Sequence, residues 1–253
     1  MELEDIKSVE LSSQRIAWCV LALAALGFMA LAIDMPVSRW CLADHLPSGT
    51  KKLLKLSEAF GHGFGVSVIL LAVALLDSGR RWVLPRLAMA SLGAGLVANV
   101  CKLFVGRLRP HHADLLQGID ATFLGWWPAD AGHSYQQGCP SSHVATAVGL
   151  AVGLSWLYPK GRWLFGTLAA LVALQRIEAG AHFVSDTFWG AAVGVAVSGI
   201  AIRLRSLGYL GNKLERWLAA PRGRLHSPQS AANSRSCSMA SSISGTATPR
   251  ARP

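Results

Sequence analysis

Uncharged or nearly uncharged stretches run through roughly 16–33, 60–76, 84–104, 143–158, 163–178 and 187–202, with polar residues gathered between them. Crossing about 30 Å of hydrocarbon takes about 17–25 helical residues, and each block is long enough or nearly so. A lone strand would leave its backbone groups unpaired in lipid. The pattern therefore predicts an all-α fold, a bundle of six transmembrane helices, with no internal repeat. Trp18, Trp40, Trp82, Trp156, Trp163 and Trp189 fall at or near block ends, and Trp126 and Trp127 in a long connection. Indole rings favour the membrane interface, where one edge is apolar and the other wet.

Composition agrees. Hydrophobic residues make up 52% of the 253 positions, charged ones 15%, and the mean hydropathy is +0.37, which argues against an ordinary soluble domain. The net charge of +10 raises nucleic acid as a partner, but its distribution points to lipid. Arg203, Arg205, Lys213, Arg216, Arg222 and Arg224 follow the last apolar block, where a basic cluster reads as a cytoplasmic anchor on anionic headgroups. Arg80-Arg81 and Lys160 with Arg162 mark two further inner loops. Both termini are then cytoplasmic, in an integral inner-membrane protein. The first outer connection breaks the pattern with Arg39, Lys51, Lys52 and Lys55, and 51–56 reads as an amphipathic helix on the outer surface. Ala30-Leu31-Ala32 resembles a processing site, but Glu2, Glu4, Asp5 and Glu10 make the preceding segment acidic, unlike a signal peptide.

The expected organisation is a cytoplasmic N-terminal tail (1–15), a membrane domain (16–206) and a basic Ser/Pro/Arg-rich cytoplasmic tail (207–253), whose composition cannot bury a core. The five cysteines show no metal-ligand spacing. Cys41 and Cys139 share the outer side and read as free thiols in preference to a pair. The long connections, 34–59 and 105–142, are candidates for function.

Polar residues that membrane helices should avoid mark three clusters. Lys102 closes the third block and Arg109-Pro110 follows. Pro140-Ser141-Ser142-His143 opens the fourth. Arg176 ends the fifth, His182 lies in a turn with Gly180, and Asp186 opens the sixth. Ends of odd helices and starts of even ones share a side, so all three clusters converge on the outer face. Lys102, Arg109 and Arg176 suit phosphate oxygens. Ser141 and Ser142 sit at a helix start, where free N–H groups favour an anion. His182 and Asp186, four apart, share a face on a helical turn, letting the carboxylate hold one ring nitrogen while the other attacks. His143 supplies a second imidazole, and the pair reads as nucleophile and general acid. Each residue alone has a plainer reading, as a snorkelling cation, a helix cap or a loop histidine. Their coincidence on one face favours the site. His62, His111, His112 and His133 lack such company.

The spacing Lys102-x6-Arg109-Pro110, then Pro140-Ser141-Ser142-His143, then Arg176-x5-His182-x3-Asp186 resembles the three-part signature of the type 2 phosphatidic acid phosphatase and haloperoxidase superfamily, in its integral-membrane lipid phosphatase branch, over roughly 60–202. The resemblance implies an all-helical bundle with the active site at the extracytoplasmic helix ends. It implies that His182 attacks phosphorus to form a phosphohistidine, that Asp186 orients it, and that His143 protonates the departing oxygen. Lys102, Arg109, Ser141, Ser142 and Arg176 would hold the phosphoryl oxygens. No metal and no cofactor is implied. Two positions depart from the family pattern: Ser142 stands where Gly is usual, and Gln175 where Ser is usual. Neither removes a catalytic group.

The expected activity is metal-independent hydrolysis of a lipid phosphomonoester or pyrophosphate. Transfer to another lipid or sugar acceptor uses the same intermediate and stays open. A transporter is disfavoured because the charges gather at one surface. The expected partners are a phosphorylated lipid and the bilayer, without nucleic acid. Residues 111–139, with Trp126, Trp127, Asp114, Asp120 and Asp130, are expected to form the lid that selects the headgroup. Which lipid, and which oligomeric state, the sequence leaves open.

Overall fold

The structure, a computed structural model, describes residues 13–127 and 133–219. The chain divides into one compact unit of Met1–Glu215 and a second of Arg216–Pro253. The fold below is that of the first unit. Of the second, only the last residues of one helix are described. Asp130, of the expected lid, and the tail beyond 219 lie outside the described residues.

Helices occupy all six apolar blocks. They are α1 (Ser13–Leu42), α3 (Gly63–Leu76), α4 (Leu84–Ala88) running through a π turn at Met89–Gly93 into α5 (Ala94–Cys101), α6 (Ser142–Leu157), α7 (Arg162–Glu178) and α8 (Val184–Arg203). By length and composition, Ser13–Leu42, Ser78–Cys101 and Val184–Arg203 can each cross a membrane. The short helix α2 (Ser48–Ser57) with its 3-10 turn to Phe60 and α3 form a pair bent by 60°, which counts as a fourth span if taken as one. Ser142–Leu157 is apolar but shorter, roughly 24 Å long at 1.5 Å per residue. Much of α6 is buried against its neighbours, so protein takes the place of lipid along most of it.

Two connections hold more order than their composition predicts. The first span does not stop at 33: α1 continues through Asp34 to Leu42, because the Asp34 carboxylate is fully buried and fully partnered, as described below. Between α5 and α6, β1 (Val105–Arg107) pairs antiparallel with β2 (Phe123–Trp126). The segment 51–56 is helical, within α2, with Leu53 and Leu56 exposed and Lys51 paired to Asp44. Residues 205–219, mostly assigned above to the tail, form helix α9 (Arg205–Ala219). Cys19, Cys41, Cys101 and Cys139 are free thiols.

Without a hydrophobic force between helices in lipid, close association depends on small residues that let backbones approach. Gly149 and Gly153 on α6 form one such stripe, and Gly190 and Gly194 on α8 another. A Cβ on Gly149 would overlap the carbonyl oxygen of Ala90 in the π turn, and one on Gly194 would lie 2.7 Å from the Ala145 carbonyl oxygen. Ala94, Ala98, Ala145 and Val197 fill this seam, while Val66, Val73, Leu87, Leu150, Leu154 and Val172 build the larger core between α3, α4, α6 and α7. Alanine at an open helical glycine gains about 1 kcal/mol. At Gly149 that gain is reversed by overpacking of about 1–3 kcal/mol. Gly149→Ala should therefore lower the thermal midpoint in detergent, while Gly166→Ala, with open space around it, should not. Equal midpoints would show that the crossing is not tight.

Candidate active site

The end of α7 sets up the site. Gly180 takes a left-handed conformation at φ +60°, the Ala181 N–H bonds the Arg176 carbonyl at 3.1 Å and the Gly180 N–H bonds the Ile177 carbonyl at 3.0 Å. This pair of reversed bonds closes a helix with glycine just beyond its cap. The chain then turns sharply, and His182 donates its own N–H to the Arg176 carbonyl at 3.2 Å. Arg176 and His182 are thereby held against each other by backbone geometry.

His182 is 1% exposed. Its Nδ1 lies 2.7 Å from the Gly138 carbonyl oxygen. A carbonyl only accepts, so Nδ1 carries the hydrogen and, in the neutral ring, Nε2 carries the free lone pair. Burial pushes the His182 pKa below the ordinary histidine value; Asp186 opposes this, while the Lys102 and Arg109 cations reinforce it. The spacing argument gave one ring nitrogen to Asp186 instead. In the structure the Asp186 Oδ2 is 3.9 Å away, too long for a hydrogen bond. The reason is local: α8 begins at Val184, so His182 precedes the helix and four-residue spacing does not stack the two side chains. Asp186 Oδ2 accepts instead from the Phe183 N–H at 2.9 Å, at the start of α8.

Asp186 Oδ1 belongs to a buried network that the motifs did not reveal. Arg107, at the end of β1, donates from Nη1 to Asp186 Oδ1 at 2.5 Å and to Ser185 Oγ at 2.7 Å, and from Nη2 to Asp34 Oδ2 at 2.8 Å. Asp34 also accepts from Ser185, from the N–H at 3.0 Å and the hydroxyl at 2.5 Å. The guanidinium lies 4.6 Å from the centre of the Phe183 ring, and Trp189, expected at an interface, packs against Gly27 and Phe28 of α1 beside it. Burial works against the charge of Arg107, and the two carboxylates outweigh it, raising its pKa. The Arg107 carbonyl accepts from the Gly138 N–H at 2.8 Å, so this residue ties α1 and α8 to Gly138, whose own carbonyl holds His182. The signals in the sequence were an aspartate inside an apolar run and an extra arginine between Lys102 and Arg109.

The other expected site residues meet at the same end of the helices. Lys102 follows α5 and its Nζ lies 3.4 Å from Ser142 Oγ on α6, so the side chain at the position where glycine is usual contacts the first cation. The Ser141 N–H bonds the Asp186 carbonyl at 3.0 Å, joining the starts of α6 and α8. Lys102, Arg109 and Arg176 lie close enough to act on one another's charge, and His143 feels Arg176, His182, His62 and Lys102. Burial first, then Arg176, pulls the Arg109 pKa down.

Three polar atoms of this set have no hydrogen-bond partner in the protein: Ser141 Oγ, Arg109 Nε and Arg176 Nε are all buried and unpaired. Ser141 heads α6 without a side-chain capping bond, which sets aside its plainer role as a cap. Buried donors left unpaired cost about 1–3 kcal/mol each, and an anion with several oxygens satisfies them together. Gln175, buried next to Arg176, also has an unpaired Oε1. Among the described residues, no group of three or more His, Cys, Asp or Glu is placed to hold a metal.

One further carboxylate enters the site without a motif. Glu58, in the turn after α2, accepts from Arg176 Nη1 at 2.6 Å and lies 3.8 Å from His143 Nε2. The ring of His62 is centred 5.9 Å from that of His143. His111 bonds the Ala179 carbonyl, and His112 and His133 rest on Tyr135.

Next to this polar end, α6, α7 and α8, with Leu23 of α1, line an open apolar cavity of about 900 Å³. Val144, Ile177 and Val184 line it near the site, and Pro159 and Arg162 at the far end of α6 and α7.

The lipid A 1-phosphatase of Rhizobium etli is 27% identical over 186 residues, covering 67% of this chain and 76% of that one. The lipid A 4′-phosphatase of Porphyromonas gingivalis is 31% identical over 128 residues, covering 49% of each. In fold, the chain resembles the transmembrane PAP2-type phosphatidylglycerolphosphate phosphatase of Bacillus subtilis at a TM-score of 0.50 and 17% identity, covering 82% of this chain and 97% of that one. Residues 84–207, which hold all three clusters, match the PAP2 superfamily.

Proposed function

We propose that this multi-pass membrane protein hydrolyses a phosphate ester of a lipid through a phosphohistidine on His182. The observation that carries the reading is the set of unpaired buried groups, Ser141 Oγ, Arg109 Nε and Arg176 Nε, beside a histidine whose Nε2 is left free by the Gly138 carbonyl. His182 Nε2 attacks phosphorus while the bond to the lipid oxygen breaks, and His143 gives that oxygen a proton. Water then attacks the phosphohistidine, His143 takes its proton, and inorganic phosphate leaves with His182 restored. Lys102, Arg109 and Arg176 offset the charge on the equatorial oxygens in both steps, so no metal is required. Asp186 acts through the turn it caps and through Arg107.

The relatives that act on lipid A favour a phosphorylated, acylated glycolipid as substrate, and the apolar cavity beside the site suits its acyl chains. Six membrane crossings, with the site on the extracytoplasmic side and both termini inside, fit the loop charges. The test is phosphate release by the purified protein in lipid vesicles containing EDTA. The panel is lipid A, phosphatidic acid, phosphatidylglycerol phosphate, polyprenyl pyrophosphate and a soluble phosphoester. Release from lipid A should be fastest and indifferent to EDTA. A requirement for added divalent cation would sink the metal-free mechanism, and release from the soluble ester alone would sink the lipid assignment.

A further inference from the structure

Glu58 has no place in the signature motifs, yet among the described residues it is the acidic side chain that reaches the general acid, His143. It is carried there by α2, which packs on α7 through Lys51 and Glu178, 3.7 Å apart. Gly61 then fixes the turn against the start of α6, where a Cβ would lie 2.7 Å from the His143 carbonyl oxygen. Glu58 reaches two residues with different tasks. It takes one donor of Arg176, Nη1, and leaves the buried Nε of the same guanidinium unpaired. It also stands 3.8 Å from His143 Nε2. In-line displacement puts nucleophile and leaving group on opposite sides of phosphorus, so the neighbourhood of His143 is the leaving-group side.

We propose that Glu58 is a specificity-determining residue on the leaving-group side, selecting phosphomonoesters with an uncharged alcohol leaving group over lipid diphosphates. The inference rests on the phosphohistidine reading above. The Glu58 carboxylate stands 3.8 Å from the His143 nitrogen that would carry the proton, and an alkoxide leaving group needs that proton. In a diphosphate the leaving group is itself a phosphate. It departs without full protonation, and its charge meets the Glu58 carboxylate at close range.

The experiment compares one polyprenol chain carrying either a monophosphate or a diphosphate, so that only the leaving group differs. The ratio of kcat/KM for the two is measured for wild type, Glu58→Gln and Glu58→Asp. The wild type should prefer the monophosphate. Glu58→Gln should reduce the ratio at least about tenfold, lowering kcat on the monophosphate and KM on the diphosphate, and Glu58→Asp should restore most of it. Equal losses on both substrates, or a ratio unchanged within about twofold, would reduce Glu58 to a structural ion pair and overturn the proposal. Should the wild type turn over neither substrate nor lipid A, the phosphatase reading itself falls and takes this inference with it.

Discussion

Replacing His182 with alanine should lower phosphate release by at least about 10⁴-fold, the scale on which removing a nucleophile acts when the binding groups remain. The cations Lys102, Arg109 and Arg176 stay in place, so KM should change far less than kcat. Because the side chain is 1% exposed, the thermal midpoint of His182→Ala must be measured alongside, to separate lost chemistry from lost packing. Rapid quenching of the wild type with labelled substrate should trap acid-labile phosphate on the protein, absent from the variant. The pH profile gives a second check. Only the neutral ring attacks, and burial lowers the His182 pKa. The neutral form thus persists below the ordinary histidine value of about 6.5. Any acid limb of kcat/KM owed to His182 should fall below that value. Residual activity above about 1%, or label trapped on a different residue, would remove His182 from the role of nucleophile.

The helices were legible because lipid imposes one rule on backbone and side chains together. A helix that crosses must be largely apolar, and helices form over all six apolar blocks, of which three, or four with the bent pair counted as one span, are long and apolar enough to cross among the described residues. Their ends were less legible. Asp34 looks like a stop, and only the partner it finds 73 positions later, Arg107, makes it an interior residue. An acidic residue in an apolar run implies a buried cation as its partner. The motif residues were legible from chemistry and topology: helix ends on one side collect Lys102, Arg109, Ser141, His143, Arg176 and His182. Their detailed partners were not. The four-residue spacing of His182 and Asp186 argues for contact only if both lie on one helix, and the turn closed by Gly180 puts His182 before it. Glu58 was invisible for a different reason. It lies outside the signature, in the turn after an amphipathic segment, and only packing on α6 and α7 brings it to His143 and Arg176.

Glu58 and Arg107 serve different sides of the site. Glu58 stands with His143, where a leaving group departs. Arg107 stands behind His182: its carbonyl anchors Gly138, which holds Nδ1, and its guanidinium fixes Asp186, which caps the helix beginning just after the histidine. The site is thus supported from the first helix as well as from the matched region, through an aspartate that the signature does not include.

Arg107→Ala should accordingly destabilise the protein by about 3–5 kcal/mol, the cost of leaving buried carboxylates without their counter-charge. Asp34 and Asp186 are both fully buried, and alanine would strand the two together with the freed Ser185 hydroxyl. Lysine should rescue little, since one ammonium cannot reproduce the fork that reaches both carboxylates. Asp34→Asn alone should be milder, because the amide keeps an acceptor for the Ser185 N–H and Arg107 retains Asp186. The decisive comparison is the double variant Arg107→Met with Asp34→Asn. If the pair is coupled through a buried ion bridge, the double variant should lose less stability than the sum of its single changes. Unfolding in detergent micelles measures each loss, and phosphate release measures whether His182 stays aligned. Additive losses, or an Arg107→Ala cost under about 1 kcal/mol, would mean that the two charges are solvated independently, and that Asp34 does not anchor the first helix to the site.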